Sequence, residues 1–138
     1  MYDPTCDAAC QACSFWADNF NDIIVHLNQR DVTMIAISKA PYSKIDKYKQ
    51  RMGWDFTWIS SFYINFNRDY YVSFTSEELE KKEGFYNFTI QDPSVSELPG
   101  VSVFYKDPTC KIFHTYSAYS RGIDILNKTY NYLDLVPK

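Results

Sequence analysis

The run Val32-Thr33-Met34-Ile35-Ala36-Ile37-Ser38 lies between two stretches of helical periodicity, and that order constrains the fold more than any other feature of the chain. A nearly continuous apolar, β-branched run has no polar face to turn toward water, so it suits a strand in a parallel sheet covered on both sides. Before it, from Cys10 to Arg30, Phe15, Trp16, Phe20, Ile23, Ile24 and Leu27 recur at three- and four-residue steps. That stripe predicts one amphipathic helix opened by the cysteines. After it, Ser43 and Asp46 have the spacing of a capping box, Ile45, Tyr48 and Met52 share a face, and Gly53 supplies a stop. Helix, strand and helix make half of a βαβ winding with right-handed crossovers, so the predicted class is α/β.

The rest of the chain is less regular. Trp54 to Ser61 is aromatic and serine-rich and predicts a short strand, and Asn65 to Val72 a turn or short helix. Thr75 to Leu98 carries the charge run Glu77, Glu78, Glu80, Lys81, Lys82 and Glu83, which reads as an excursion over the surface. Val101 to Tyr105 and Lys111 to Tyr116 flank a tight connection and predict a hairpin; Ile123, Leu126, Tyr130 and Leu133 mark a last helix begun by Ser120. With 138 residues, 46% of them apolar and 18% aromatic, the chain can build one compact core but not two.

Charge and cysteine usage narrow the function. A net charge of -3 and a pI near 5.3 leave no broad basic surface, which argues against duplex nucleic acid and anionic membrane as partners. No stretch approaches the roughly 20 apolar residues of a membrane span. Asp3 and Asp7 stand where a signal peptide would place Lys or Arg, so a cytoplasmic location is expected. On that expectation the Asn87 and Asn127 glycosylation triplets carry no weight. Cys6, Cys10 and Cys13 fall within eight residues, a cluster that in a reducing compartment is more often catalytic or metal-binding than structural.

Two metal readings meet objections. The CxxxCxxC spacing of Cys6, Cys10 and Cys13 matches the iron–sulfur motif of radical enzymes that use S-adenosylmethionine. Those need a large partial barrel and an aromatic residue before the last cysteine, where this chain has Ala12. Cys10, Cys13 and His26 begin like a zinc finger, but no second His follows at the required distance; His114 is the only other one. No metal and no cofactor is therefore expected. His26 is assigned to the interior of its helix and His114 to a partly buried place in the hairpin. Trp54, Trp58, Tyr63 and Phe66 are read as core rather than as a pocket lining.

The element order, together with the strings CSFWADNF, HLNQRDVTMIAISKAP, YKQRMGWDF, SSFYINFNRDY, GVSVFYKD, FHTYSAYSRG and TYNYLDLVPK, resembles a bacterial thioredoxin-like family known as a domain of unknown function, number eight hundred and ninety-nine. The resemblance covers nearly the whole chain. It implies a thioredoxin-like three-layer α/β/α fold on a mixed sheet, within the thioredoxin and peroxiredoxin superfamily. Cys10 would then be the attacking thiol at a helix N-terminus and Cys13 the resolving thiol one turn along. A helix dipole supplies on the order of 0.3 to 1 kcal/mol, less than one pKa unit, and Asp3 and Asp7 oppose it, so strong activation has to come from elsewhere in the fold. Pro99, just before the hairpin, would be cis and would turn its backbone toward the cysteines as a substrate-docking edge.

The peroxiredoxin mapping instead makes Cys13 the nucleophile, although Cys6 and Cys10 stand where that pattern wants Pro and Thr. The function implied is a thiol/disulfide oxidoreductase acting on a protein disulfide or a small peroxide, with a reductant of unknown identity. The alternative is a noncatalytic binding module. Family members look as if they carry another strand upstream, and only nine residues precede Cys10. The expectation is that the sheet lacks most of its first strand, which leads either to a homo-oligomer or swapped assembly or to a native continuation upstream.

Overall fold

The computed structural model describes residues 2–137. The predicted first helix is two: α1 (Gln11–Ala17) and α2 (Phe20–Asn28), separated at Asp18 and Asn19. Side chains make the break. The Asn19 amide donates to the carbonyls of Phe15 and Trp16, both at 3.2 Å, taking acceptors that a continuous helix would use, while Asp18 accepts the Trp54 indole N–H at 2.8 Å.

Of the apolar run only β1 (Ala36–Ser38) pairs, in parallel with β2 (Trp58–Ser60). Val32 and Ile35 are exposed, so the run is not covered on both faces throughout its length. Between the two strands α3 (Tyr42–Met52) crosses over, and Gly53 ends it at φ 68°, the left-handed conformation that glycine adopts without a Cβ penalty. The helix starts on Pro41 with no side-chain cap, and the box expected from Ser43 and Asp46 does not form.

A reciprocal capping box forms instead at Thr75 and Glu78, inside the stretch whose charges read as mere surface. After the short α4 (Phe66–Asp69), this region holds α5 (Ser76–Lys81) and a hairpin of β3 (Gly84–Tyr86) and β4 (Thr89–Gln91). The longer hairpin, β5 (Gly100–Lys106) and β6 (Ile112–Tyr119), carries a bulge at Val103 and Phe104. The last predicted helix is a 3₁₀ segment, Ser120–Leu126, followed by α6 (Lys128–Leu133).

The class is thus mixed α/β. The described strands form three separate two-stranded sheets, not one mixed sheet. With only three residues each, β1 and β2 give a ladder that reaches neither hairpin.

Two cores result. The larger packs Tyr2, Ala9, Ala17, Phe20, Ile45, Trp54, Phe56 and Trp58; the smaller packs Phe74, Tyr86 and Tyr119. The Tyr2 carbonyl accepts the Ala40 amide at 3.0 Å, which lays the N-terminal segment beside the end of β1 and delivers Cys10 to the start of α1. The accessible surface of 9658 Å² exceeds the roughly 7,500 Å² expected of a compact monomer of 16.2 kDa, and much of the longer hairpin and all of residues 130–137 lie exposed. No helix among the described residues is long and apolar enough to cross a membrane.

Gly84 gives a direct check on the second core. A Cβ there would lie 2.7 Å from the Phe74 ring, whereas a Cβ at Gly122 meets only Ala118 at 3.7 Å. In urea denaturation Gly84→Ala is expected to lower stability by about 1–3 kcal/mol and Gly122→Ala to change it by less than about 1 kcal/mol. Equal effects would show that β3 is not packed on Phe74.

Candidate functional site

Cys10 is the residue just before α1, with extended backbone (φ -56°, ψ 128°), and its sulfur accepts the Cys13 backbone N–H at 3.5 Å. Its carbonyl accepts both the Ser14 amide and the Ser14 hydroxyl at 2.9 Å, and that hydroxyl lies 3.1 Å from the Tyr48 hydroxyl on α3. The first turn is therefore pinned to the larger core. Cys10 is exposed, Cys13 is half-buried, and all four cysteines are free thiols.

The two thiols are displaced in opposite directions. Burial alone would raise Cys10, but hydrogen bonds from the Cys13 backbone and side chain and from the Ala12 amide outweigh it and hold Cys10 below the ordinary cysteine value. Burial pushes Cys13 up to about 11, and negative charge on Cys10 adds to the rise. Local donors lower Cys10 and burial raises Cys13, and together they set this asymmetry.

Cys13 opens on a pocket of about 190 Å³ whose wall includes Trp16, Pro99, Ile123, Asn127 and Tyr130. The C-terminal turn is held there by the Trp16 indole, which donates to the Leu126 carbonyl at 3.2 Å, and by Phe15 and Tyr130, whose ring centroids are 5.4 Å apart. Pro99 thus lines the same pocket as Cys13, but the expected cis bond is absent: every described peptide bond is trans. The strand entry is held as it stands by the Leu98 amide on the Val72 carbonyl at 2.8 Å and the Tyr86 hydroxyl on the Pro99 carbonyl at 2.7 Å. Those partners satisfy the backbone in the ordinary trans form, which X-Pro bonds favour.

The other candidates fall elsewhere. Cys6 is exposed, and its carbonyl takes the Lys44 ammonium at 2.8 Å; Cys110 is exposed in the turn of the longer hairpin at φ 66°. Among the described residues no three His, Cys, Asp or Glu side chains converge as a metal site. His26 is exposed in the last turn of α2, not interior. His114 is exposed on β6, with Nε2 2.8 Å from the Ser117 hydroxyl, rather than partly buried. Trp54 and Trp58 are core, as expected, but Tyr63 is 93% exposed. Asn127 also lines the pocket beside Cys13, and no sequence motif marks it as a site residue. Apart from the glycosylation triplet, its local signal is an Asn directly before a helix, which points to a cap, and its side chain makes no capping bond.

The chain belongs to a family of bacterial proteins of unknown function, DUF899, whose sequence model spans residues 1–138. No curated protein and no solved structure matches it. The DUF899 assignment names no chemistry, so the site is argued from its own geometry. At neutral pH iodoacetamide is expected to alkylate Cys10 well before Cys13, whose thiol stays protonated until about pH 11. Mass mapping of a labelling time course checks this; equal labelling of the two would remove the asymmetry.

Proposed function

We propose that this DUF899 chain is a thioredoxin-like thiol–disulfide oxidoreductase in which Cys10 attacks and Cys13 resolves. The observation that carries the reading is the inequality of two thiols one helical turn apart. The exposed one accepts a backbone N–H and is lowered; the half-buried one is raised to about 11. The thioredoxin-like arrangement belongs to the same proposal. It is supported by the parallel β1 and β2, by the N-terminal segment lying beside the end of β1, and by Pro99 in the wall of the pocket that Cys13 lines. The trans bond at Pro99 and the separate sheets depart from the superfamily pattern.

In the proposed reaction the Cys10 thiolate attacks one sulfur of a substrate disulfide, breaking that bond and expelling a substrate thiolate. The mixed disulfide that remains is attacked by Cys13, which gives up its proton as it does so. The second substrate thiol leaves. The substrate disulfide gains two electrons, the Cys10 and Cys13 pair loses them and closes a disulfide, and a dithiol reductant must then reopen it. Peroxide chemistry through Cys13 is less well supported, because its burial disfavours the thiolate at neutral pH.

Mild oxidation with diamide is expected to join Cys10 to Cys13 with the loss of two hydrogens, seen by peptide mass mapping. Cys13→Ser is expected to accumulate a mixed disulfide with a model peptide disulfide, and Cys10→Ser to form none. Failure to form the Cys10–Cys13 bridge, or undiminished reaction in Cys10→Ser, would remove the proposal.

A further inference from the structure

Three aromatic residues that belong to neither core meet at a second pocket. Tyr71, Phe85 and Phe88 are 51%, 41% and 69% exposed, yet with Asp69, Tyr70 and Tyr119 they wall a cavity of about 160 Å³. It lies where the end of α4, the β3–β4 turn and the end of β6 come together, and it shares no residue with the pocket beside Cys13. The Tyr119 hydroxyl ties two of these segments by donating to the Tyr70 carbonyl at 3.2 Å. The rings meet edge to face: Tyr71 and Phe85 with centroids 4.8 Å apart at 70°, Phe88 and Tyr119 at 5.5 Å and 76°. In such a pair one ring's edge covers the other's face, and the faces of the edge ring stay uncovered by its partner.

The backbone is strained to hold this wall. Asn87 and Phe88 form the two-residue turn between β3 and β4 with positive φ at both, 52° and 64°, and Tyr71 stands at 56°. A turn of this kind favours glycine at its second position, so Phe88 is a sterically costly choice whose ring serves the pocket rather than a core. Charge points the same way. Asp69 is exposed and forms no ion pair among the described residues, while Arg68 beside it is committed to Glu78.

We infer that this pocket binds a small quaternary ammonium group, with its methyls against the aromatic rings and Asp69 as counter-charge. Ring faces attract a cation, and a quaternary nitrogen has no N–H that aromatic walls would leave unpaired. The volume suits a headgroup, since drug-sized ligands take roughly 300–1,000 Å³. The site is independent of the thiol chemistry at Cys10 and Cys13.

The test titrates the full chain with choline and with its uncharged isostere dimethylbutanol, in which carbon replaces the nitrogen, by calorimetry and by the proton resonance of the ligand methyls. Choline is expected to bind about threefold to thirtyfold more tightly than the isostere, the range over which cation–π contacts act, and its methyl resonance to move upfield under the ring currents. Asp69→Asn is expected to weaken choline and leave the isostere unchanged. Phe88→Gly removes one ring and relieves the positive φ, so it is expected to keep or raise the urea midpoint while losing most of the preference for choline. Acetyl-trimethyllysine-amide carries the same group on a side chain; whether it or choline binds more tightly tells which source the pocket takes, and either order upholds the chemistry. Equal affinity for choline and the isostere, no binding of either trimethylated probe, or a preference that survives both variants would overturn the inference. The wild-type ratio decides the matter even if Asp69→Asn does not fold.

Discussion

The position of Cys10 depends on an aromatic cluster. Tyr2 lies with its ring centroid 5.6 Å from Tyr48 and 6.3 Å from Trp58; Trp54 and Phe56 follow at 5.2 Å, and Phe56 meets Phe20 at 5.3 Å. Edge-on and tilted contacts of this kind combine a large buried area with defined orientation. The cluster joins the N-terminal segment, α2, α3 and β2 in one packed body, and two indoles tie it to polar groups: Trp58 to the Ser38 hydroxyl at 2.9 Å and Trp54 to Asp18 at 2.8 Å. Those bonds fix ring orientation as packing alone would not. They also fix where the helix breaks, because Asp18 lies at the junction of α1 and α2.

From that cluster α1 presents its two cysteines unequally. Trp16 belongs both to the core, through Phe20 at 5.2 Å, and to the wall of the pocket beside Cys13. The same residue therefore buries one side of the helix and shapes the cavity on the other. The C-terminal turn closes the pocket from a distant part of the chain, linked to α1 by the Trp16 indole. Cys13 is desolvated by this enclosure, whereas Cys10, at the helix start, keeps its exposure and gains amide donors. A small difference in place along one helical turn becomes a difference in acidity.

The second region is organised by polar pairing as much as by burial. Arg68 reaches the Ser73 carbonyl at 2.7 Å and Glu78 at 2.6 Å, while Asn67 joins the buried Ser61 to Glu97. Ser73 also donates to Glu97. These bonds bring segments around residues 61, 73 and 97 together, and the Tyr86 hydroxyl adds a link by donating to the Pro99 carbonyl and accepting the Ser120 amide at 2.9 Å. The pocket wall at Pro99 and the start of the 3₁₀ segment thus share one hydroxyl.

Local pattern was enough to place α3 with its Gly53 stop, the longer hairpin, and the cysteines at the start of a helix, because each rests on residues close in sequence: apolar spacing, a left-handed glycine, two β-rich runs around a turn. The helix break was not legible, since it depends on Asp18 finding Trp54 and on Asn19 turning back on its own helix. Nor was the charge run from Glu77 to Glu83, in which Glu78 serves Thr75 and Arg68 rather than water alone. The composition of the CxxC followed from the sequence, but the inequality of its thiols did not, because desolvation of Cys13 comes from enclosure by the folded chain. Asn127 shows the limit most plainly: its neighbours in sequence mark a helix start, and only folding brings it to a cavity more than a hundred residues away from Cys13 along the chain and leaves its oxygen without a partner. Short-range backbone preference is written in adjacent residues, whereas burial, and with it the protonation and pairing of polar groups, exists only once distant segments have met.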